Sequence, residues 1–194
     1  MSRLDDTALD QIFRLSRSHP EFEDRPVAQA VLEELTALAL LGPSAFNQQP
    51  LRLVFIQTPE GKAKLEPALS AGNRAKTMAA PVSVLVCADT DFTRHLPEVF
   101  PLSDVRGYYT DASVREGSAR TNALIQAGML IAAARALGLG VGPMAGFDRA
   151  KAKAALVDDP AWEPLFLMNL GWFRANPDNA RLPRLSFDQA ARIV

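Results

Sequence analysis

The chain has 194 residues, 48% of them hydrophobic and 22% charged. That is close to an average globular protein, so wholesale disorder is excluded and one domain over 1–194 is expected rather than two. Twenty-one Lys and Arg against 22 Asp and Glu leave a net charge of -1, without the basic excess that a nucleic-acid or membrane-surface footprint needs. Sixteen of the 21 cations are Arg; this leans toward anionic ligands, although GC-rich coding explains the same bias.

The N-terminus, Met1-Ser2-Arg3-Leu4-Asp5-Asp6, is polar and has no signal-peptide core, and a cytoplasmic protein is expected. Leu9, Ile12, Phe13 and Leu15 predict a short amphipathic helix ending before His19-Pro20. A second helix is predicted from about Pro26 to Leu41, stopped by Gly42-Pro43-Ser44. Leu51 to Ile56 reads as a strand, and Pro59-Glu60-Gly61 opens a helix ending near Ala71-Gly72. Val82 to Ala88 is a nearly continuous apolar run, the pattern of a strand covered on both faces. It contains the single cysteine, Cys87, which cannot form an internal disulfide and reads as a buried structural residue.

Residues 90–117 carry Phe92, Phe100, Tyr108 and Tyr109, and read either as a lid or as a segment collapsed on the core. From Arg120 to Leu137 the pattern predicts a central helix, apolar nearly all round and terminated by Gly138 and Gly140. Its most apolar stretch, Ala123 to Leu137, is interrupted by Gln126 and Arg135 and falls short of the roughly 20 residues that cross a bilayer. Phe147-Asp148 precedes another short helix, Pro164 to Leu170 reads as a third strand, and the tail from Asp178 is polar and punctuated by Arg. Helices interleaved with buried strands imply an α/β or α+β sandwich around one sheet.

Most catalytic vocabularies are missing. Two histidines, His19 and His95, and one cysteine cannot make a zinc site of usual spacing, and there is no nucleophile elbow or phosphate-binding Walker loop. A protein without its own nucleophile or metal can still be an enzyme through a bound cofactor. Four segments point that way: Arg17-Ser18-His19; Gly42-Pro43-Ser44-Ala45-Phe46-Asn47-Gln48-Gln49-Pro50; Gly72-Asn73-Arg74-Ala75-Lys76; and Gly142-Pro143-Met144-Ala145-Gly146-Phe147-Asp148 with the later Arg181-Leu182-Pro183-Arg184. Each also has a plain structural reading, as a polar helix end, turn chemistry, a solvated helix face or surface charge.

Taken together and in this order, the four segments resemble the nitroreductase family of FMN-dependent NAD(P)H oxidoreductases over nearly the whole chain. The stretches Leu102 to Tyr109, Gly142 to Asp148 and Ala180 to Phe187 are similar to its malonic semialdehyde reductases of pyrimidine catabolism, often labelled NADH dehydrogenase/NAD(P)H nitroreductase. The resemblance implies an α+β three-layer sandwich with a mostly antiparallel central sheet flanked by helices, in an interlocked homodimer with FMN at the subunit interface. It implies that Arg17, Ser18, His19 and Arg181 hold the FMN phosphate. Pro43, Ser44 and Asn47 would lie against the neighbour's flavin, Asn73 and Lys76 would meet the pyrimidine edge, and Pro143, Ala145 and Gly146 would present backbone to N5. Two departures stand out: Pro20 where a second basic residue is usual, and Leu51 where an aromatic is usual. The implied activity is ping-pong transfer from NADPH or NADH through FMN to a small acceptor, for this subfamily malonic semialdehyde, without metal, nucleic acid or membrane. Arg74 and Arg106 are candidate clamps for the acceptor's carboxylate. The alternatives are a broad nitro- or quinone reductase and a flavin-binding protein without turnover.

Overall fold

A computed structural model describes residues 2–18, 21–173 and 179–194; of the expected site residues only His19 lies outside them. Four antiparallel strands form one sheet in the order β1-β2-β4-β3: β1 Leu51–Ile56, β2 Val82–Asp89, β3 Leu139–Met144 and β4 Trp162–Trp172. Every residue of β2 is buried, as its unbroken apolar run requires of a strand covered on both faces. Val82, Val84 and Val86 join one core with Leu35, Ala39, Leu130 and Ala134 from helices α2 (Gln29–Leu40) and α6 (Ala112–Ala136). Leu85 and Cys87 face the other way, toward Leu65 and Ala152 of α3 (Pro59–Leu65) and α7 (Arg149–Leu156). The layers are therefore helix, sheet, helix, the α+β sandwich that was expected. Cys87 is fully buried, and burial pushes its thiol up to about 12, so it is not a thiolate.

Several boundaries depart from expectation for identifiable reasons. The first helix is α1 (Asp6–Leu9), capped by the Asp5 carboxylate accepting from the Ala8 amide, and it widens into a π-helical turn at Asp10–Arg14. α2 starts at Gln29 rather than Pro26. The helix opened by Pro59 stops at Leu65 because Glu66-Pro67-Ala68 tightens into a 3-10 turn, Pro67 lacking the donor a helix needs. A separate helix, α4 (Ala71–Ala79), follows, so Asn73 and Lys76 do lie on helix, three residues apart on one face. α6 begins at Ala112, eight residues before Arg120, where the Asp111 carboxylate accepts from the Ser113 and Val114 amides.

Gly138 does end α6, at φ 79°, but Gly140 and Gly142 belong to a fourth strand, β3. Pro164 sits in the middle of the sheet, where a missing N–H is tolerated at a bulge: Cys87 pairs with Pro164 and Val86 with Phe166, leaving Leu165 as the extra residue. Residues 90–117 are mostly the collapsed alternative. A 3-10 turn at Phe92–His95, helix α5 (Leu96–Val99) and a second 3-10 turn at Arg106–Tyr109 precede α6, with Phe92, Leu96, Val105 and Tyr109 buried in one cluster. This excursion is tied to the sheet by the buried Asp89 carboxylate, which accepts from Arg52 at 2.7 Å and Arg94 at 3.1 Å. A short α8 (Phe187–Ala190) lies in the tail. No helix among the described residues is long and apolar enough to cross a membrane.

The packing distinguishes two glycines. A Cβ on Gly171 would stand 2.9 Å from Pro81 Cγ and 3.1 Å from Phe22 Cδ1, whereas one on Gly117 would meet nothing. Gly171→Ala is expected to lower stability by about 1–3 kcal/mol through overpacking, and Gly117→Ala to raise it by about 0.5–1 kcal/mol through helix propensity. Urea denaturation of the two variants reads this directly; equal effects would contradict the packing.

Candidate functional site

The sequence-predicted residues fall into two groups that meet along β3 and a third that stands apart. At one end, Ser18 forms an isolated parallel bridge with Val141 of β3, which sets Arg17 and Ser18 beside this edge strand. The tail folds back on the same segment. Arg181 Nη2 donates to the carbonyls of Phe13 at 2.7 Å and Ser16 at 3.0 Å, and Arg17 Nε donates to the Asn179 carbonyl at 3.3 Å. The Arg181 guanidinium is destabilised by burial, then by Arg17 and Arg184; that of Arg135 is destabilised by burial, then by Arg181. Among the described residues no carboxylate pairs with any of these four, while neighbouring Arg14 is neutralised by Asp6 and Asp10 at 2.9 Å each. Arg135 Nε is buried and unpartnered, and a cavity of about 460 Å³ opens between Arg17, Arg135 and Gly138–Val141. Guanidiniums gathered without a described carboxylate have the chemistry to take a phosphate or carboxylate through charge-assisted hydrogen bonds.

At the other end of β3, Asn73 Nδ2 donates to the Gly146 carbonyl at 2.9 Å, and the Ser70 amide donates to the same oxygen at 3.2 Å. A Cβ on Gly146 would fall 2.6 Å from Asn73 Nδ2 and 2.8 Å from Ser70 Oγ, so only glycine permits this approach. The Ala145 and Gly146 amides find no acceptor among the described residues, and Pro143, Ala145 and Gly146 are exposed. The half-buried Lys76 ammonium and the exposed Arg74 guanidinium have no ion pair there either. From Val141 to Ala145 is roughly 13 Å at about 3.3 Å per strand residue. The arrangement is thus elongated, with guanidiniums at one end and amide donors and a cation at the other. Arg106 belongs to neither: its guanidinium grips Asp104 through two hydrogen bonds of 2.9 and 2.8 Å, which holds that carboxyl down at about 2.

The third group, Pro43, Ser44 and Asn47, joins neither of the other two by a hydrogen bond or ion pair among the described residues. Its backbone is strained. Phe46, Asn47 and Gln49 have φ of 48°, 50° and 42°, a region non-glycine residues enter only when their surroundings over-determine it. Here α6 supplies the surroundings through Ser118, Asn122 and Gln126, spaced four apart on one face. Ser118 Oγ accepts from Gln48 at 3.0 Å, Asn122 Oδ1 from the Ala45 amide at 2.8 Å, and Gln126 Oε1 from the Leu51 amide at 3.3 Å. Ser44 Oγ closes the loop by accepting from the Gln49 amide, and Asn47 Nδ2 donates to the Val99 carbonyl at 2.7 Å. Phe46 stacks on Tyr108 with centroids 5.6 Å apart. Sequence reasoning missed the α6 residues, although polar side chains at i, i+4 and i+8 in an otherwise apolar helix are a legible stripe.

Comparison with known proteins bears on the family and the fold. A model of the nitroreductase family matches residues 16–172. The chain belongs to the nitroreductase family. A relative from Burkholderia lata, provisionally named NADH dehydrogenase/NAD(P)H nitroreductase, is 48% identical over 195 residues, covering 100% of both chains. One of the same name from Xanthomonas oryzae is 48% identical over 193 residues, 98% of this chain and 97% of its own. Among solved structures, an Exiguobacterium sibiricum protein provisionally described as a nitroreductase, in complex with FMN, superposes with a TM-score of 0.86 at 20% identity, over 100% of this chain and 99% of its own. A Staphylococcus epidermidis protein provisionally described as an NAD(P)H:FMN oxidoreductase also gives 0.86, at 18% identity over 100% and 98%. At that identity the two structures establish the shared fold.

The strained segment generates a test within this family fold. Replacing Asn122 by Leu keeps the volume but leaves the Ala45 amide without an acceptor. The variant is expected to lose about 1–3 kcal/mol, measured by urea denaturation; an unchanged midpoint would show that the segment does not depend on α6.

Proposed function

We propose that this nitroreductase-family chain is an FMN-dependent oxidoreductase that takes hydride from NAD(P)H and reduces a small carboxylate-bearing aldehyde, malonic semialdehyde being the acceptor its sequence resemblance favours. The observation that carries the cofactor reading is the set of four guanidiniums without a carboxylate, at one end of a strand whose other end offers free amides and Lys76. That set fits FMN, an elongated ligand with a dianionic phosphate at one end and a ring of acceptors at the other. When bound, FMN supplies two-electron chemistry, receiving hydride and passing it on. Arg17 and Arg181, with Ser18 and His19 as further ligands, would hold the phosphate. Asn73 and Lys76 would meet the pyrimidine edge, where an ammonium would favour the negative charge of reduction, and Gly146 would let the 143–146 backbone approach. The chain's own part is orientation and charge.

A second copy completes the site in this reading. Leu124, Ile125 and Met129 on the outer side of α6 and Leu41 at the end of α2 are exposed, an apolar face that a homodimer covers. The 43–49 segment leaves the end of α2 at this face, which supports Pro43, Ser44 and Asn47 as contributors to the partner's flavin.

Two measurements decide these assignments. Arg181→Ala is expected to weaken FMN binding by about tenfold or more, the loss of charge-assisted hydrogen bonds, while leaving riboflavin affinity unchanged, because riboflavin lacks the phosphate. Equal losses would assign Arg181 a structural role, and failure of the wild-type protein to retain FMN would reject the cofactor. For the acceptor, Arg74 is the candidate clamp, since Arg106 is held by Asp104. Arg74→Ala is expected to raise KM for malonic semialdehyde with KM for a neutral quinone unchanged; a parallel rise would favour a broad quinone or nitro reductase, and no NAD(P)H oxidation with any acceptor a flavin-binding protein.

A further inference from the structure

Lys62 is the one lysine in the described core, 6% exposed, and its ammonium has no carboxylate partner among the described residues. Nζ donates to the Thr77 carbonyl and to Ser83 Oγ, both at 2.7 Å. Ser83 Oγ donates to Asn169 Oδ1 at 2.9 Å, and Asn169 Nδ2 donates to the Lys76 carbonyl and Thr77 Oγ1, each at 3.3 Å. The two carbonyls belong to the last turn of α4. That helix ends at Ala79, Ala80 is extended, and Pro81 has no N–H to return, so the helix end has no backbone cap and its last carbonyls need outside donors. A cation there also meets the negative end of the helix dipole.

We infer that Lys62 is a positioning residue for the cofactor site: its buried ammonium caps α4 from beneath and thereby fixes where Lys76 and Asn73 stand against the 143–146 segment. The inference rests on the FMN reading for its functional half. Toward that segment α4 is held by Ser70 and Asn73 on the Gly146 carbonyl and by Thr77 Oγ1 on Met144 Sδ at 3.4 Å. Removing the cap therefore leaves the helix end that carries Lys76 with only the longer, neutral bonds from Asn169 beneath it. A structural filler would not need this chemistry, because a methionine fills the same space without burying a charge.

Among the described residues the charge is opposed by nothing ionic. α4 offers Lys62 a carbonyl, β2 a hydroxyl, and β4 an amide through Ser83. On α7, Lys151 pairs with Asp148 and Lys153 donates to the Pro160 carbonyl, while on α3 itself Glu60, Lys64 and Glu66 are not bonded to it. Burial alone pushes the ammonium from 10.5 down to about 8. Between those values the unfolded chain binds the proton that the folded chain has released, so stability rises with pH across that window.

The test is Lys62→Met in the full chain. Hydrogen exchange of the ligand-free protein is expected to quicken about tenfold at amides of α4, with α6 unchanged, the fold-change of losing one charge-assisted hydrogen bond. The stability of the wild type relative to the variant is expected to rise from about pH 8 to 10.5. With FMN bound, Lys62→Met is expected to lower the reduction potential, and the same change in a Lys76→Met background to leave it unmoved, because Lys62 acts through Lys76. Unchanged exchange in α4 overturns the cap. Faster exchange with an equal potential shift in both backgrounds overturns the action through Lys76. A wild-type protein that binds no FMN sinks the cofactor reading, and the cap then stands or falls on the exchange result alone.

Discussion

The candidate site depends on backbone groups that the regular elements leave unpaired and that side chains from elsewhere satisfy. The Ala45 amide is taken by Asn122, the Gly146 carbonyl by Asn73, the Thr77 carbonyl by Lys62, and the last carbonyls of α6 by Gln11 at 2.8 and 3.0 Å. Each bond joins segments far apart in sequence, and each holds a loop or helix end at the place where the site is built. Buried backbone polar groups are costly when unpaired, so these few side chains decide the positions of segments that strand and helix geometry would leave free. The three left-handed residues at 46–49 show the same constraint from the other side. A conformation of that cost persists because Ser118, Asn122 and Gln126 leave the segment no cheaper way to satisfy its polar groups.

Elements whose burial pattern matches their period were legible in the sequence. β1 and β2 announce themselves by branched and apolar runs, and α2 by its helical spacing. β3 was not legible, because Leu139-Gly140-Val141-Gly142-Pro143 has the composition of a helix stop followed by a turn. It becomes a strand through pairing with β4, Gly140 against Gly171 and Val141 against Leu170, and tertiary pairing overrides propensity. The break between α3 and α4 is written in Pro67, which lacks the donor a helix needs, and in Ser70, which stands at the start of α4. Asn73 and Lys76 could be placed on a common face from spacing, whereas the Asn73–Gly146 pairing spans 73 residues and no local pattern reports it. Lys62 had a faint signal: it stands three residues before buried Leu65, on the inward side of α3, while Lys64 does not.

Composition excluded a basic footprint for the chain as a whole, and that conclusion concealed a local one. Several described cations are neutralised close by: Arg14 by Asp6 and Asp10, Arg52 and Arg94 by Asp89, Arg120 by Glu116 and Glu163. Among those without a described carboxylate partner, Arg17, Arg135, Arg181 and Arg184 stand together where the N-terminal segment, the end of α6 and the returning tail meet. Net charge is a sum over the surface, and an anion site needs only a local imbalance held by a low-dielectric surround. Arg17 and Arg181 come from opposite ends of the chain, so the imbalance exists only in the folded protein.

The two ends of the site are also mechanically different. At the cationic end the guanidiniums of Arg17 and Arg181 are held by backbone carbonyls and like charges stand together, so an anion bound there, as proposed, would replace repulsion with paired charge. At the amide end the geometry exists before any ligand arrives, since Asn73, Gly146 and Ser70 leave no room for a Cβ, and α4 is bonded both to the 143–147 segment and to the core beneath it. Preorganised donors lower the cost of stabilising charge that develops during a reaction, while a repelling cluster mainly contributes binding. In the proposed reading binding is therefore concentrated at one end of β3 and control of charge at the other. With His95 beside Asp89 at 3.7 Å and Cys87 buried as a thiol, orientation and charge are what these side chains can bring to a reaction carried by a bound group.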